Sequence, residues 1–239
     1  MKYSYLLIDL CTIAVPVLFS FHPKLNFYKK WKSFFIATIL SSIPFIIWDI
    51  IFTEQKIWGF NPDYLTGIYF FKLPIEEFLF FICIPFSCVF TYHCLNIFFK
   101  PKWNSNFENI FVLGGAILLL VAGIVFQRQS YSAYTFISLS LLLLLLKFGF
   151  KVTWLPKLFS IYPILLFPFI IVNGILTGTA LENPIVWYTD NENLGIRLLT
   201  IPIEDFFYGF ELILLNIFIY EFLNKKFAKR LQSQTEKAE

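Results

Sequence analysis

Two short stretches of this 239-residue chain put adjacent carboxylates at the head of long apolar segments. Pro74-Ile75-Glu76-Glu77-Phe78 is the first, and Pro202-Ile203-Glu204-Asp205-Phe206 repeats it 128 residues later. One such motif alone is an ordinary helix start. Proline suits the first helical position, and carboxylates in the first turn complement the macrodipole. A duplicate asks for more, because a single Asp, Ser or Asn begins a helix equally well. The flanking Leu73, Phe78, Ile201 and Phe206 carry both pairs past the water boundary, where ionisable groups are costly and mark working sites. Carboxylates crowded in a low dielectric cannot all ionise, so a protonated acid stands beside a carboxylate base. That is equipment for moving a proton into and out of an apolar substrate.

Other polar residues gather at the same level. Asp9 lies within the first apolar segment, where structural pairing and function weigh equally. Asp49 closes the second, and Asn173 is its counterpart in the sixth; for these, helix-end capping and function weigh evenly. Glu211 follows Glu204 by seven residues, which puts it on the same helical face about 10 Å deeper, with Tyr208 between them. The matching positions after Glu76 are Phe80 and Cys83, so the two copies are not chemically equal. Phe80, Phe81 and Tyr208 follow the acids directly. Lipid-facing rings are the bland explanation; ring faces that stabilise a cation are the functional one.

The elements that hold these residues must be membrane helices. Apolar residues make up 58% of the chain and charged ones 15%, against roughly 25% in soluble domains. Mean hydropathy is +0.69. Seven segments have the length of about 20 residues that a bilayer crossing needs. They run roughly over 3–21, 33–52, 74–98, 109–126, 133–150, 158–176 and 201–223. The first lacks a basic leader and a small-residue cleavage site, so it is read as a retained span. Cys11, Cys83, Cys88 and Cys94 read as small buried hydrophobes, with no metal-ligand spacing. No Gly-rich loop for a nucleotide is visible, so no cofactor and no metal is expected. The net charge of +3 follows from membrane orientation and implies no nucleic-acid partner. Fourteen Lys and Arg, including Lys100, Lys102 and Lys237, fall on one side of the predicted spans and five on the other. That asymmetry predicts a cytoplasmic C-terminus and an outside N-terminus in a cytoplasmic membrane.

The segments also repeat. Pro44-Phe45-Ile46-Ile47-Trp48-Asp49-Ile50-Ile51-Phe52-Thr53 matches Pro168-Phe169-Ile170-Ile171-Val172-Asn173-Gly174-Ile175-Leu176-Thr177 at six of ten positions, and the acidic motif follows each after a polar loop. Two three-helix units are expected, over 1–98 and 133–223. A fourth helix within 99–132 joins them, and a basic tail spans 224–239. The odd helix restores direction, giving parallel repeats about an axis along the membrane normal. The expected fold is an all-α membrane protein that brings both acidic pairs to one depth.

The two motifs, the parallel repeat and the small membrane chain resemble the integral-membrane lycopene cyclases, in their fused form, over nearly the whole length. The resemblance implies an isomerase or intramolecular lyase that converts the acyclic ψ-ends of lycopene, or a related acyclic carotenoid, to β-rings without net redox change. It carries Glu76, Glu77, Glu204 and Asp205 over as acidic motif positions. Asp49 and Glu211 join them as catalytic candidates, and Asn173, Phe80, Phe81 and Tyr208 as substrate-binding ones, on depth and face. Competing readings are a carotenoid hydratase, which would admit water to the same cation, and a proton-coupled lipid carrier. A prenyl transferase would need Asp-rich diphosphate motifs, and a retinal protein a lysine within 201–223; the sequence has neither.

Overall fold

The computed structural model describes residues 2–99, 101 and 103–235. Lys100, Lys102 and Lys237 of the charge count lie outside the described residues. The architecture is an all-α membrane bundle. Its helices are α1 (Ser4–Phe19), α2 (Trp31–Glu54), α3 (Ile75–Phe98), α4 (Ser105–Val125), α5 (Ser130–Leu144), α6 (Leu155–Leu176) and α7 (Ile203–Thr235). Among the described residues, six helical stretches are long and apolar enough to cross a membrane. Helix α1 is shorter, with 16 residues, or about 24 Å of rise.

Several boundaries differ from the expectation: α4 begins at Ser105 and α6 at Leu155, four and three residues earlier than expected, and two further differences have a visible cause. Helix α5 begins at Ser130, three residues before the expected start, because Tyr131 and Ser132 enter the helix with their hydroxyls already paired. Helix α7 runs on through the basic segment to Thr235. Residues 224–235 contain no Gly or Pro, and Lys, Arg, Leu, Ala and Gln are good helix formers.

Lipid does not drive helices together as water does, so close packing and polar contacts between helices hold the bundle. Asn216 of α7 donates to Thr38 Oγ1 and Ser41 Oγ of α2, both at 3.0 Å. Ser87 of α3 donates to the Thr12 carbonyl of α1, and Ser140 of α5 to the Ala116 carbonyl of α4. Each such bond is worth roughly 1 kcal/mol. Helix α4 packs chiefly on α5, where Ala116 and Gly123 allow close approach; a Cβ on Gly123 would lie 2.6 Å from Ile137 Cγ1.

One end of the bundle carries short strands: β1 (Trp58–Phe60), β2 (Tyr69–Phe70), β3 (Leu73–Pro74), β4 (Val186–Tyr188), β5 (Arg197–Leu198) and β6 (Ile201–Pro202). The hairpins β2–β3 and β5–β6 pair in matching register and lead directly into α3 and α7. Phe71 and Lys72 both sit at positive φ, as a two-residue hairpin loop demands. Strands β1 and β4 pair antiparallel across the two halves, with Gly59 opposite Trp187 at the centre. Those two residues are 128 apart, the spacing of the acidic motifs. The local two-fold axis therefore passes through this pair, as in a symmetric dimer. A Cβ on Gly59 would lie 2.3 Å from the Trp187 ring, so the axis admits one indole and one glycine.

Candidate active site

The hairpins fix where the acids begin. In each half a carboxylate closes its own loop. Glu76 Oε1 accepts from the Thr66 backbone N–H at 2.6 Å, and Glu204 Oε1 from that of Leu194 at 2.8 Å. Glu204 also accepts from Ser132 Oγ at 2.5 Å. Both residues are fully buried. Neighbouring positions on a helix point about 100° apart, so the second acid of each pair turns elsewhere.

Glu77 and Asp205 turn inward, to one cavity of about 390 Å³ between α1, α2, α3, α5, α6 and α7. The repeat brings its two halves to a single chamber. Glu77 accepts from the Tyr5 hydroxyl at 2.7 Å, and the Asp49 carboxyl stands beside it in the same chamber. Two carboxyls crowded in a low dielectric do not both ionise, which favours one proton shared by the pair. Tyr208 donates to Asp49 Oδ1 at 2.9 Å. In the other half, Asn173 stands where Asp49 does and donates its amide to Asp205 Oδ2 at 2.6 Å. Asp205 further accepts from the Tyr131 hydroxyl at 2.6 Å and that of Tyr188 at 3.0 Å. Three neutral donors on one carboxyl are the company of a carboxylate. Burial, and then the adjacent Asp205, push the Tyr188 phenol well above its ordinary value, so it remains a donor.

Rings enclose the acids. Trp58 stands edge-on to Tyr131 at 5.1 Å, to Tyr208 at 6.0 Å and to Tyr188 at 6.2 Å between centroids. Phe60, Phe80 and Phe169 complete the aromatic wall. An apolar arm leaves this chamber between α1, α3 and α6, lined by Val15, Pro16, Cys88, Thr91, Leu165 and Pro168 among others. From Glu77 to Thr91 it follows α3 for about 21 Å. Val15 and Cys11 line the arm and are also exposed on the bundle exterior, so the arm opens sideways beside α1. The exposure of Cys11 departs from the expectation of four buried cysteines.

Among the sequence candidates, the cavity gathers Glu77, Asp205, Asp49, Asn173, Phe80 and Tyr208. It does not gather Glu76 and Glu204, which clamp loops. Nor does it gather Glu211, whose carboxylate accepts from Ser138 Oγ at 2.8 Å between α7 and α5. Phe81 packs with Phe45 and Leu212, away from the chamber. Asp9 is fully buried beside Glu77, with no hydrogen-bond partner for either oxygen, and does not line the cavity. Sequence reasoning missed Tyr5, Tyr131, Tyr188 and Trp58. The repeat held the signal: a Tyr opens the first helix of each unit, and Trp58-Gly59-Phe60 and Val186-Trp187-Tyr188 keep the 128-residue spacing. Among the described residues, no group of three His, Cys, Asp or Glu side chains is arranged to hold a metal ion.

The same duplication appears in comparison with known proteins. The lycopene cyclase family model matches residues 2–95 and 131–223, leaving out the stretch that carries α4. No curated protein and no solved structure matches the chain significantly. Both matched segments end in a helix headed by an acidic pair, and one acid of each pair lines a single aromatic chamber; the chain belongs to the lycopene cyclase family.

Proposed function

We propose that this protein is a lycopene β-cyclase that closes both ψ-ends of its substrate in one chamber, by acid–base catalysis between the repeats. The observation that carries the reading is the opposite company of the two inward acids. Glu77 stands beside a second carboxyl, that of Asp49, whereas Asp205 is held by neutral donors. The Asp49–Glu77 pair is the acid. Its proton adds to the terminal double bond of a ψ-end and leaves a tertiary cation. The neighbouring double bond attacks that cation, one C–C bond forms, and the charge moves into the new ring. Asp205 then removes the adjacent ring proton, and the ring double bond forms. Substrate and product have equal mass.

The surroundings fit each step. The aromatic wall stabilises the cation through its ring faces and keeps out the water that would trap it as an alcohol. The side arm receives the polyene from the bilayer. A single chamber treats one end at a time, so a one-ring product precedes the two-ring product. Expression in a lycopene-accumulating bacterial host gives a shift from red to orange-yellow, with products of unchanged mass. Unchanged lycopene despite verified membrane insertion would sink the cyclase reading, and a product heavier by one water would point to the hydratase.

The catalytic end lies at the outer face of the membrane, with the C-terminus in the cytoplasm, on the strength of the Lys and Arg asymmetry. An alkaline phosphatase domain fused after Glu239 is expected to stay inactive in a bacterial host. An active fusion of full length would reverse the orientation.

A further inference from the structure

We propose that the site recycles its proton internally: the proton that Asp205 removes from one ring returns through Tyr188 and Tyr208 to the Asp49–Glu77 pair and is used on the next end. This rests on the cyclase reading above. Ring closure adds one proton and removes another, so each turn leaves the acid pair short of a proton and Asp205 carrying one. The enzyme must restore both before it acts again. Bulk water has poor access, since Asp49, Asp205 and Glu77 are 3%, 4% and 7% exposed.

A short path lies between them. Tyr188 touches Asp205 at 3.0 Å and Tyr208 touches Asp49 at 2.9 Å. Tyr131 stacks on Tyr188 at 5.8 Å, and Tyr208 stands edge-on to Tyr131 at 6.2 Å. Both terminal hydroxyls thus line one chamber, one on the base and the other on the acid pair. A phenol that accepts a proton from one side and gives its own to the other completes each transfer with no net change. The return closes with a hydrogen bond between the Tyr188 and Tyr208 hydroxyls once product has left. The first repeat has Phe80 where Tyr208 stands, so the route exists on one side only.

The test uses the full-length protein in membranes and lycopene deuterated at the ring-forming carbon that loses its hydrogen. Over many turnovers in ordinary water, the expected product carries deuterium at the carbon that was protonated. Complete loss of that label to water, with rings still formed, would overturn the recycling and leave the cyclase reading intact. Absence of any ring would remove both. Tyr208→Phe and Tyr188→Phe are each expected to slow repeated turnover roughly 10²-fold and to lower label retention in the rings that do form. Retention equal to wild type in both variants would overturn the tyrosine route. Loss of a packing contact alone would change the yield and leave the label fraction where it was.

Discussion

Asp205→Asn is expected to abolish ring formation while the bundle stays assembled. Asp205 is the only inward carboxyl whose described partners are all neutral donors: Tyr131, Tyr188 and Asn173. Those three bonds hold a carboxylate in a dry chamber and aim it at the ring proton. An amide of the same shape cannot take that proton, and a positioned base is worth about 10²–10⁴-fold in rate. The amide keeps its oxygen toward Asn173 and Tyr188 and turns its NH2 to the Tyr131 hydroxyl, which must then accept, at a cost of about 1 kcal/mol. Thermal unfolding of the purified variant separates that cost from the lost chemistry. The neighbouring acid supplies the control. Glu204→Gln keeps an oxygen for Leu194 and Ser132, so it is expected to retain activity within about tenfold, a change of about 1.4 kcal/mol. Carotenoid extracts of matched membranes decide the matter. If Asp205→Asn keeps cyclising, or Glu204→Gln is the dead variant, the assignment of the base is wrong.

Glu77→Gln is expected to remove activity by a similar factor, about 10²–10⁴, for a different reason. In the proposed mechanism the wild-type pair of Asp49 and Glu77 shares one proton between two crowded carboxyls. In the variant, the amide introduced at this position donates to an ionised Asp49, an amide–carboxylate pair like that of Asn173 and Asp205. The first repeat then has the chemistry of the second, and the site has two bases and no acid. The variant is expected to melt no lower than wild type, because an amide–carboxylate hydrogen bond replaces a shared proton without a change of volume. Substrate still binds, so lycopene remains with the purified protein but is not converted. Near-normal cyclisation by Glu77→Gln would show that the proton comes from elsewhere, with the buried Asp9 the first place to look.

Some of this was legible at the level of residue types. Composition alone required membrane helices, and the match of Pro44–Thr53 to Pro168–Thr177 located the repeat. Proline followed by paired acids marked the start of α3 and of α7, and the structure has both helices there. Membership in the lycopene cyclase family, with its two matched segments, agrees with the resemblance carried by those motifs. The reading was weaker where it relied on helical faces. Glu211 shares a stripe with Glu204 and Tyr208, yet Tyr208 reaches Asp49 and Glu211 pairs with Ser138. In water, a polar stripe marks the outside of a helix. In lipid both faces are apolar, so periodicity does not say which face lines a cavity.

The sequence by itself determined the class of the protein, its duplicated plan and the acidic residues from which a site could be built. It did so because hydropathy, proline and the repeat are local properties written in consecutive residues. The tertiary structure decided which acid of each pair lines the chamber. Glu76 and Glu204 are spent on backbone N–H groups ten residues upstream, and Glu77 and Asp205 face each other's half across the chamber. It also decided their different surroundings. Asp49 and Asn173 occupy matching places in the two repeats, and Tyr5 and Tyr131 reach their acids from helices 72 and 74 residues away. A carboxyl becomes an acid or a base through the groups packed around it. Those groups meet only when the helices of each half pack together, and Tyr208 joins Asp49 only when the two halves close.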